Sequence, residues 1–263
     1  MLNQYTFCIG RRFFLVAMCL TFNLHVHAAQ LLSFEGKATD PDSSALLYTE
    51  SHQIILDDAG HYLSAHVSYR YPNGDVFAEK TLDYSKDALA PDLSFYDKRK
   101  NEHTYVTLNF ESNDLKVLVE NAKGKQETNV KLDEPLVVVD AGFDRLIDSQ
   151  WDTVKKDKEL KFSFLAITRA QLINFEVVEL TTNETSTFLE LHPRNFFINI
   201  LVDPIALEYD NKTHRLVSFE GLTNIEQFID GEGTEENYVA RIEYSYQPLK
   251  PFVPAAISTE ITQ

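Results

Sequence analysis

The chain has 263 residues, 44% of them hydrophobic, with 40 acidic side chains against 24 basic ones and a formal net charge of −16. So acidic a surface repels phosphate backbones and anionic headgroups, which argues against nucleic acid as a partner and against electrostatic docking on a bilayer. Past the first 28 residues no apolar run approaches membrane-spanning length, so no transmembrane span is expected in the remainder.

Residues 1–28 read as an export signal. Arg11 and Arg12 precede the apolar run Phe13–Leu20, and Val26-His27-Ala28 fits a small-residue cleavage site, so the expectation is a periplasmic protein cut after Ala28. The arginine pair also fits a twin-arginine signal, and both export routes stay open. Cys8 and Cys19 lie within this segment, so the mature part has no disulfide, thiolate nucleophile or cysteine metal ligand. Export without disulfides suits a bacterial periplasm. The remaining 235 residues carry 22 basic and 40 acidic side chains, net −18, and are long enough for one sizeable β domain. Residues 29–247 are assigned to that domain, with a possible subdomain boundary near 133–140, and 248–263 to a proline-rich mobile tail.

From Leu31 to Val139 the pattern is of short strands separated by turn signals. Leu63, Ala65, Val67, Tyr69 and Tyr71 alternate, Pro72-Asn73-Gly74-Asp75 turns, and Val76, Ala78, Leu82 and Tyr84 alternate back, which predicts an antiparallel hairpin. Val106, Leu108 and Phe110 followed by Leu115, Val117 and Val119 predict a second.

One helix is expected after Asp140, taken as its N-cap. Phe143, Leu146, Ile147, Trp151 and Val154 fall on one face, while Asp144, Arg145, Asp148, Asp152, Lys155 and Lys156 occupy the other and are assigned to solvent. Leu160, Phe162, Phe164 and Ala166, then Ile173, Phe175 and Val177, alternate on two following strands that would support the helix. Trp151 is expected between the helix and the Phe162/Phe164 face. Further strands are read over 188–191, 196–202, 205–209, 215–219 and 238–246, and Gly221–Asn237 is read as a long acidic loop. The fold expected is mainly β: an antiparallel curved sheet, half-barrel or sandwich, with one amphipathic helix packed on its concave side.

No metalloprotease, nucleophile-elbow or phosphate-loop motif is present. Of the six histidines after Ala28, His61 and His66 would point to opposite faces of one strand, and His52, His103, His192 and His214 read as isolated surface or turn residues. Asp230–Glu236 is rich in oxygens but lacks the spacing of a calcium loop, so it reads as solvated, with no saturable calcium binding. No metal, no cofactor and no catalytic residue are assigned, and an enzyme is not favoured. The one positive feature is aromatic. Phe143, Ile147, Trp151, Phe162, Phe164 and Phe175 could line a cavity for a lipid or another apolar small molecule, or they could fill a core. The competing class is a module that engages an envelope protein through a strand edge or the acidic loop.

At Phe143-Asp144-Arg145-Leu146-Ile147 with Trp151, at Leu201–Asp210, and at Gly221-Leu222-Thr223-Asn224-Ile225, the chain resembles an uncharacterised family of exported proteobacterial proteins. The likeness extends to Leu47-Tyr48 and Tyr71-Pro72-Asn73-Gly74. In architecture the chain is also similar to periplasmic lipoprotein carriers, whose unclosed β-barrel wraps a helix and holds acyl chains. The resemblance implies location and fold, and assigns no site.

Overall fold

The computed structural model describes residues 29–194, 203–229 and 232–252. The export segment with its cleavage site, the strand expected over 196–202, and residues 253–263 lie outside the described residues. Eight strands come first: β1 (Gln30–Thr39), β2 (Leu46–Leu56), β3 (Tyr62–Arg70), β4 (Val76–Asp83), β5 (Asp92–Asp97), β6 (Glu102–Asn109), β7 (Asp114–Asn121) and β8 (Gly124–Lys131). The short β9 (Val137–Val138) leads into α1 (Gly142–Ser149) and α2 (Trp151–Asp157). Then come β10 (Glu159–Ala166), β11 (Gln171–Thr182), β12 (Ser186–Pro193), β13 (Ile205–Asp210), β14 (Leu216–Ile229), β15 (Glu232–Tyr246) and β16 (Lys250–Pro251).

All of these strands join one large curved sheet. It runs from β8 back to β1, crosses to β15 and continues down to β9, and β16 pairs with the start of β1. Every neighbouring pair is antiparallel except β9 on β10. The two ends of the sheet are not hydrogen-bonded to each other, so the barrel stays open. Side chains nevertheless bridge its far walls, because Leu115, Val117 and Val130 from β7 and β8 share a buried cluster with Leu165 of β10. Among the described residues no helix is long and apolar enough to cross a membrane.

The register places whole rows of side chains on the inner face. Leu32, Ile54, Ala65, Leu82, Leu93, Val106 and Val117 lie side by side across seven strands, a purely apolar row. Beside it runs a mixed row of Tyr246, Phe34, His52, Val67, Lys80 and Phe95. A third contains Tyr244, Gly36, Glu50, Tyr69 and Ala78. Inward strand positions are normally apolar. His52, Lys80 and Glu50 break that rule, and the break locates the candidate site.

Three expectations are corrected. The single helix is two, interrupted at Gln150, and its N-cap is Ala141 without a side-chain cap bond. Asp140 instead takes a left-handed backbone, φ 47°, and turns its carboxylate inward to Lys80. The charged face of the helix is covered in α1, where Arg145 lies over the Tyr62 ring at 4.4 Å and Tyr209 Oη donates to Asp144 Oδ1 at 3.1 Å, whereas Asp152 and Lys156 of α2 are exposed as expected. The sheet curls over both faces of α1 and leaves the charged face of α2 open. Finally, the acidic loop is mostly a hairpin, β14 on β15, with Phe228 opposite Gly233. Arg99 fixes its outer end, binding both oxygens of Asp97, donating to the Glu226 carbonyl at 2.9 Å, and lying between the Phe77 and Phe228 rings.

Gly142 lets α1 begin against the segment before β5. A Cβ there would sit 2.0 Å from the Leu89 carbonyl oxygen. Alanine favours helix over glycine by about 1 kcal/mol, yet Gly142→Ala is expected to lower stability by about 1–3 kcal/mol because rigid backbone must move. Chemical denaturation checks this; a variant as stable as its parent would mean that α1 is not held against Leu89.

Candidate functional site

The inward polar residues surround a small enclosed chamber of about 50 Å3 between α1 and strands β1 to β4 and β15. Phe34, His52, Tyr62, Lys80, Tyr84, Asp144, Tyr244 and Tyr246 are among the residues that wall it. A vestibule of about 200 Å3 adjoins it and shares Phe34, Tyr62, Asp144, Leu216 and Tyr246. Arg145, Asp148, His214 and Arg215 complete the mouth of the vestibule.

At the back, Lys80 is fully enclosed and paired with Asp140, whose other oxygen accepts from Asn224 Nδ2 at 3.0 Å. Burial alone would lower the Lys80 pKa, but Asp140 and the Tyr69 hydroxyl outweigh it, and the ammonium is held above its ordinary range. Glu50, also buried, accepts from Tyr244 Oη at 3.4 Å and meets His52 Nε2 at 2.8 Å. Gly36 makes this approach possible, since a Cβ there would come within 2.8 Å of the Tyr244 ring. His52 stacks on Phe34 with ring centres 4.3 Å apart, and Phe34 in turn lies 4.6 Å from Tyr246.

Two groups are left short of partners. The Tyr84 hydroxyl is buried without a hydrogen-bond partner among the described residues. Asp144 is enclosed on most sides, receives a single bond from Tyr209, and forms no ion pair among the described residues. A carboxylate has about four acceptor sites, so most of its capacity is unused. Burial pushes the Asp144 pKa up, only partly opposed by Tyr209. Burial, reinforced by Asp144, likewise raises Tyr62 to about 12.

The sign of the Asp144 shift gives a test. A carboxyl whose pKa is raised by folding contributes stability that is complete below its unfolded value, about pH 4, and lost as pH rises through the folded value. Asp144→Asn keeps an acceptor for Tyr209 and cannot ionise. It is expected to be more stable than the parent at neutral pH, with the difference shrinking in acid. Urea denaturation across that range decides; a gap that widens in acid would show that the carboxylate is stabilising.

The six aromatic and aliphatic residues singled out from the sequence come together in one hydrophobic cluster. Phe143 lies 5.4 Å from Phe162, Phe162 stacks with Phe175 at 6.1 Å, and Phe164 meets Phe175 edge-on at 6.3 Å. Ile147 and Trp151 belong to the same buried cluster, filled out by Leu146, Val154, Leu160 and Val177. None of the six lines the chamber or the vestibule. Trp151 lies in that cluster with Phe162 and Phe164, and its ring stacks on His214 at 4.3 Å and approaches Tyr209 at 6.2 Å. His52 and His214 are consequently neither isolated nor merely surface residues.

The groups that do converge were visible as anomalies. Lys80 interrupts the apolar alternation of Val76, Ala78, Leu82 and Tyr84, and Glu50 and His52 interrupt that of Tyr48, Ile54 and Leu56. Asp144, Arg145 and Arg215 gave no such signal, since helix and turn surfaces normally carry charge.

A separate groove of about 670 Å3 crosses the outer face of β1 to β6 and is lined by Ile55, His66, Asp83 and Tyr105 among others. It is open and lacks the convergence of buried polar groups seen inside.

No family model matches the chain, and no curated protein matches it. Among solved structures it is similar to a β-barrel-like protein of domain of unknown function DUF1849 from Brucella abortus, with 7% identity, TM-score 0.41, and coverage of 86% of this chain and 99% of that one. It is also similar to a porin-like protein from Bacteroides uniformis ATCC 8492, with 8% identity, TM-score 0.28, and coverage of 82% and 96%.

Proposed function

We propose that the protein is an exported, periplasmic binding protein that takes a small amphiphilic ligand through the vestibule into the aromatic chamber. The observation that carries this reading is the convergence of two under-satisfied polar groups, the half-buried Asp144 and the buried Tyr84 hydroxyl, on one space with an opening. Withdrawing such groups from water without partners is costly, and a fold that keeps them on its inner face is supporting something other than its own stability. A long acyl chain suits the site poorly. The vestibule has room for on the order of seven water-sized groups at ~30 Å3 each, and its walls are polar.

An interaction module is the second reading. It is weakened by the sheet edges, because β9 has only two residues and β8 carries Lys125, Glu127 and Lys131, charges that discourage edge pairing.

The test is to purify the protein from the envelope fraction of its own cells and weigh it under native conditions. A bound small molecule at one per chain is expected, together with an N-terminus at Ala29. Ala141→Leu, which adds apolar bulk to the chamber wall and leaves its polar residues in the sequence, should abolish the bound mass. Ligand-free protein throughout, or a ligand retained unchanged by Ala141→Leu, would overturn the proposal.

A further inference from the structure

The vestibule contains two opposite charges that do not meet. Asp144 has no ion pair among the described residues, as above. Arg215 lies over the Tyr246 ring at 5.1 Å and likewise forms no ion pair among the described residues. Its neighbour Arg145 is already committed, donating to Asp148 Oδ2 at 2.8 Å while it covers Tyr62. Asp148 also receives His214 Nδ1 at 3.0 Å, and deeper in, Lys80 is matched by Asp140 and Glu50 by His52. Once these pairs are set aside, one carboxylate and one guanidinium remain on the walls of the same cavity. Phe34, Tyr62 and Tyr246 line the same cavity.

We infer that the ligand is a small zwitterion, with a substituted ammonium group against Asp144 inside the Phe34, Tyr62 and Tyr246 rings and a carboxylate or other anionic group on Arg215. This rests on the binding role proposed for the chamber. Aromatic faces attract a cation electrostatically, and a methylated ammonium also buries apolar surface against them. Arginine presents a fork of donors suited to a carboxylate or phosphate. A simple amine would satisfy Asp144 and leave Arg215 unmatched. A fatty acid would satisfy Arg215 but lay hydrocarbon against Asp144. A zwitterion satisfies both and leaves no buried charge alone.

The probes are trimethylammonio-carboxylates with one, two or three methylenes between the charged ends, with tetramethylammonium and butyrate as half-ligands. Trp151 reports binding through its stack on His214 at the mouth. At fixed ionic strength, one member of the series should bind saturably and at least about tenfold tighter, or ~1.4 kcal/mol, than either half-ligand. Arg215→Met should reduce it to the level of tetramethylammonium, and Asp144→Asn to the level of butyrate. Arg215→Lys, which keeps the charge, should recover part of the affinity and show that loss in the methionine variant is not misfolding. Equal binding of tetramethylammonium and the zwitterions would overturn the inference in favour of a cation site, and equal binding of butyrate in favour of an anion site. If a native ligand is found in the chamber but no zwitterion displaces it, the inference falls and the binding role stands. If neither a native ligand nor any probe binds, the cavity holds water only and both fall.

Discussion

Lys80→Met is expected to destabilise the protein by about 3–5 kcal/mol, because it strands the Asp140 carboxylate in the interior without its cation. The two side chains are 7% and 5% exposed, so water cannot replace the lost partner. Their pairing also sets the left-handed turn at Asp140 that feeds α1, so part of the loss should appear as disorder at the helix start. The double variant Lys80→Met/Asp140→Asn removes both charges together and is expected to recover much of the stability, since a matched neutral pair costs far less to bury than one bare ion. Equilibrium denaturation of the two variants and the parent measures this directly. If the single substitution costs under about 1 kcal/mol, the magnitude typical of an exposed pair, the pair is solvated and the chamber is not closed at its back.

Trp151→Ala should cost a similar amount, about 3–5 kcal/mol, as expected for a large aromatic removed from a packed cluster. The indole is 9% exposed and touches α2, the Tyr209 ring and His214 at once. Its emission in the parent should lie well to the blue of free tryptophan. His214→Ala separates packing from reporting. It should redden the emission while costing much less than the tryptophan change. A Trp151→Ala variant that unfolds with the parent would mean that α2 is not docked on β10 and β13.

Much of this architecture could be read from alternation alone. The hairpin from His61 to Tyr84, the pair around residues 106–119 and the strand ending at Tyr246 repeat with period two, and a half-buried strand must do so. The helix was legible as an apolar stripe, but its interruption at Gln150 was not, since Gln150 is unremarkable in helix propensity. Gly221–Asn237 looked like a loop because its glutamates obscure an inward set in which Thr223 and Ile225 are buried. The candidate site was least legible. Its members come from β1 to β4, α1, the turn before β14 and β15, and the pairing of β1 with β15 leaves no local trace in either strand. Asp144 and Arg145 looked like ordinary solvent-facing charges because nothing in a helical repeat reveals that the sheet curls over both sides.

That same pairing has a consequence for how the chain reaches its native state. Phe34 lies opposite Tyr246, so the seam at the middle of the sheet joins segments far apart along the chain. Within the meander from β1 to β8 each strand pairs with its neighbour in sequence and the ladder can form as it emerges, but one long side of β1 stays open until β15 arrives. Non-local closure of this kind is slow, because chain entropy must be lost before the contact compensates for it. Until then β1 is an unprotected edge, and the wall formed by Phe34 and Tyr246 does not exist. Every truncation that ends before β15 should therefore give a species that aggregates and lacks the chamber entirely. Assembly of the site and completion of the sheet are one event.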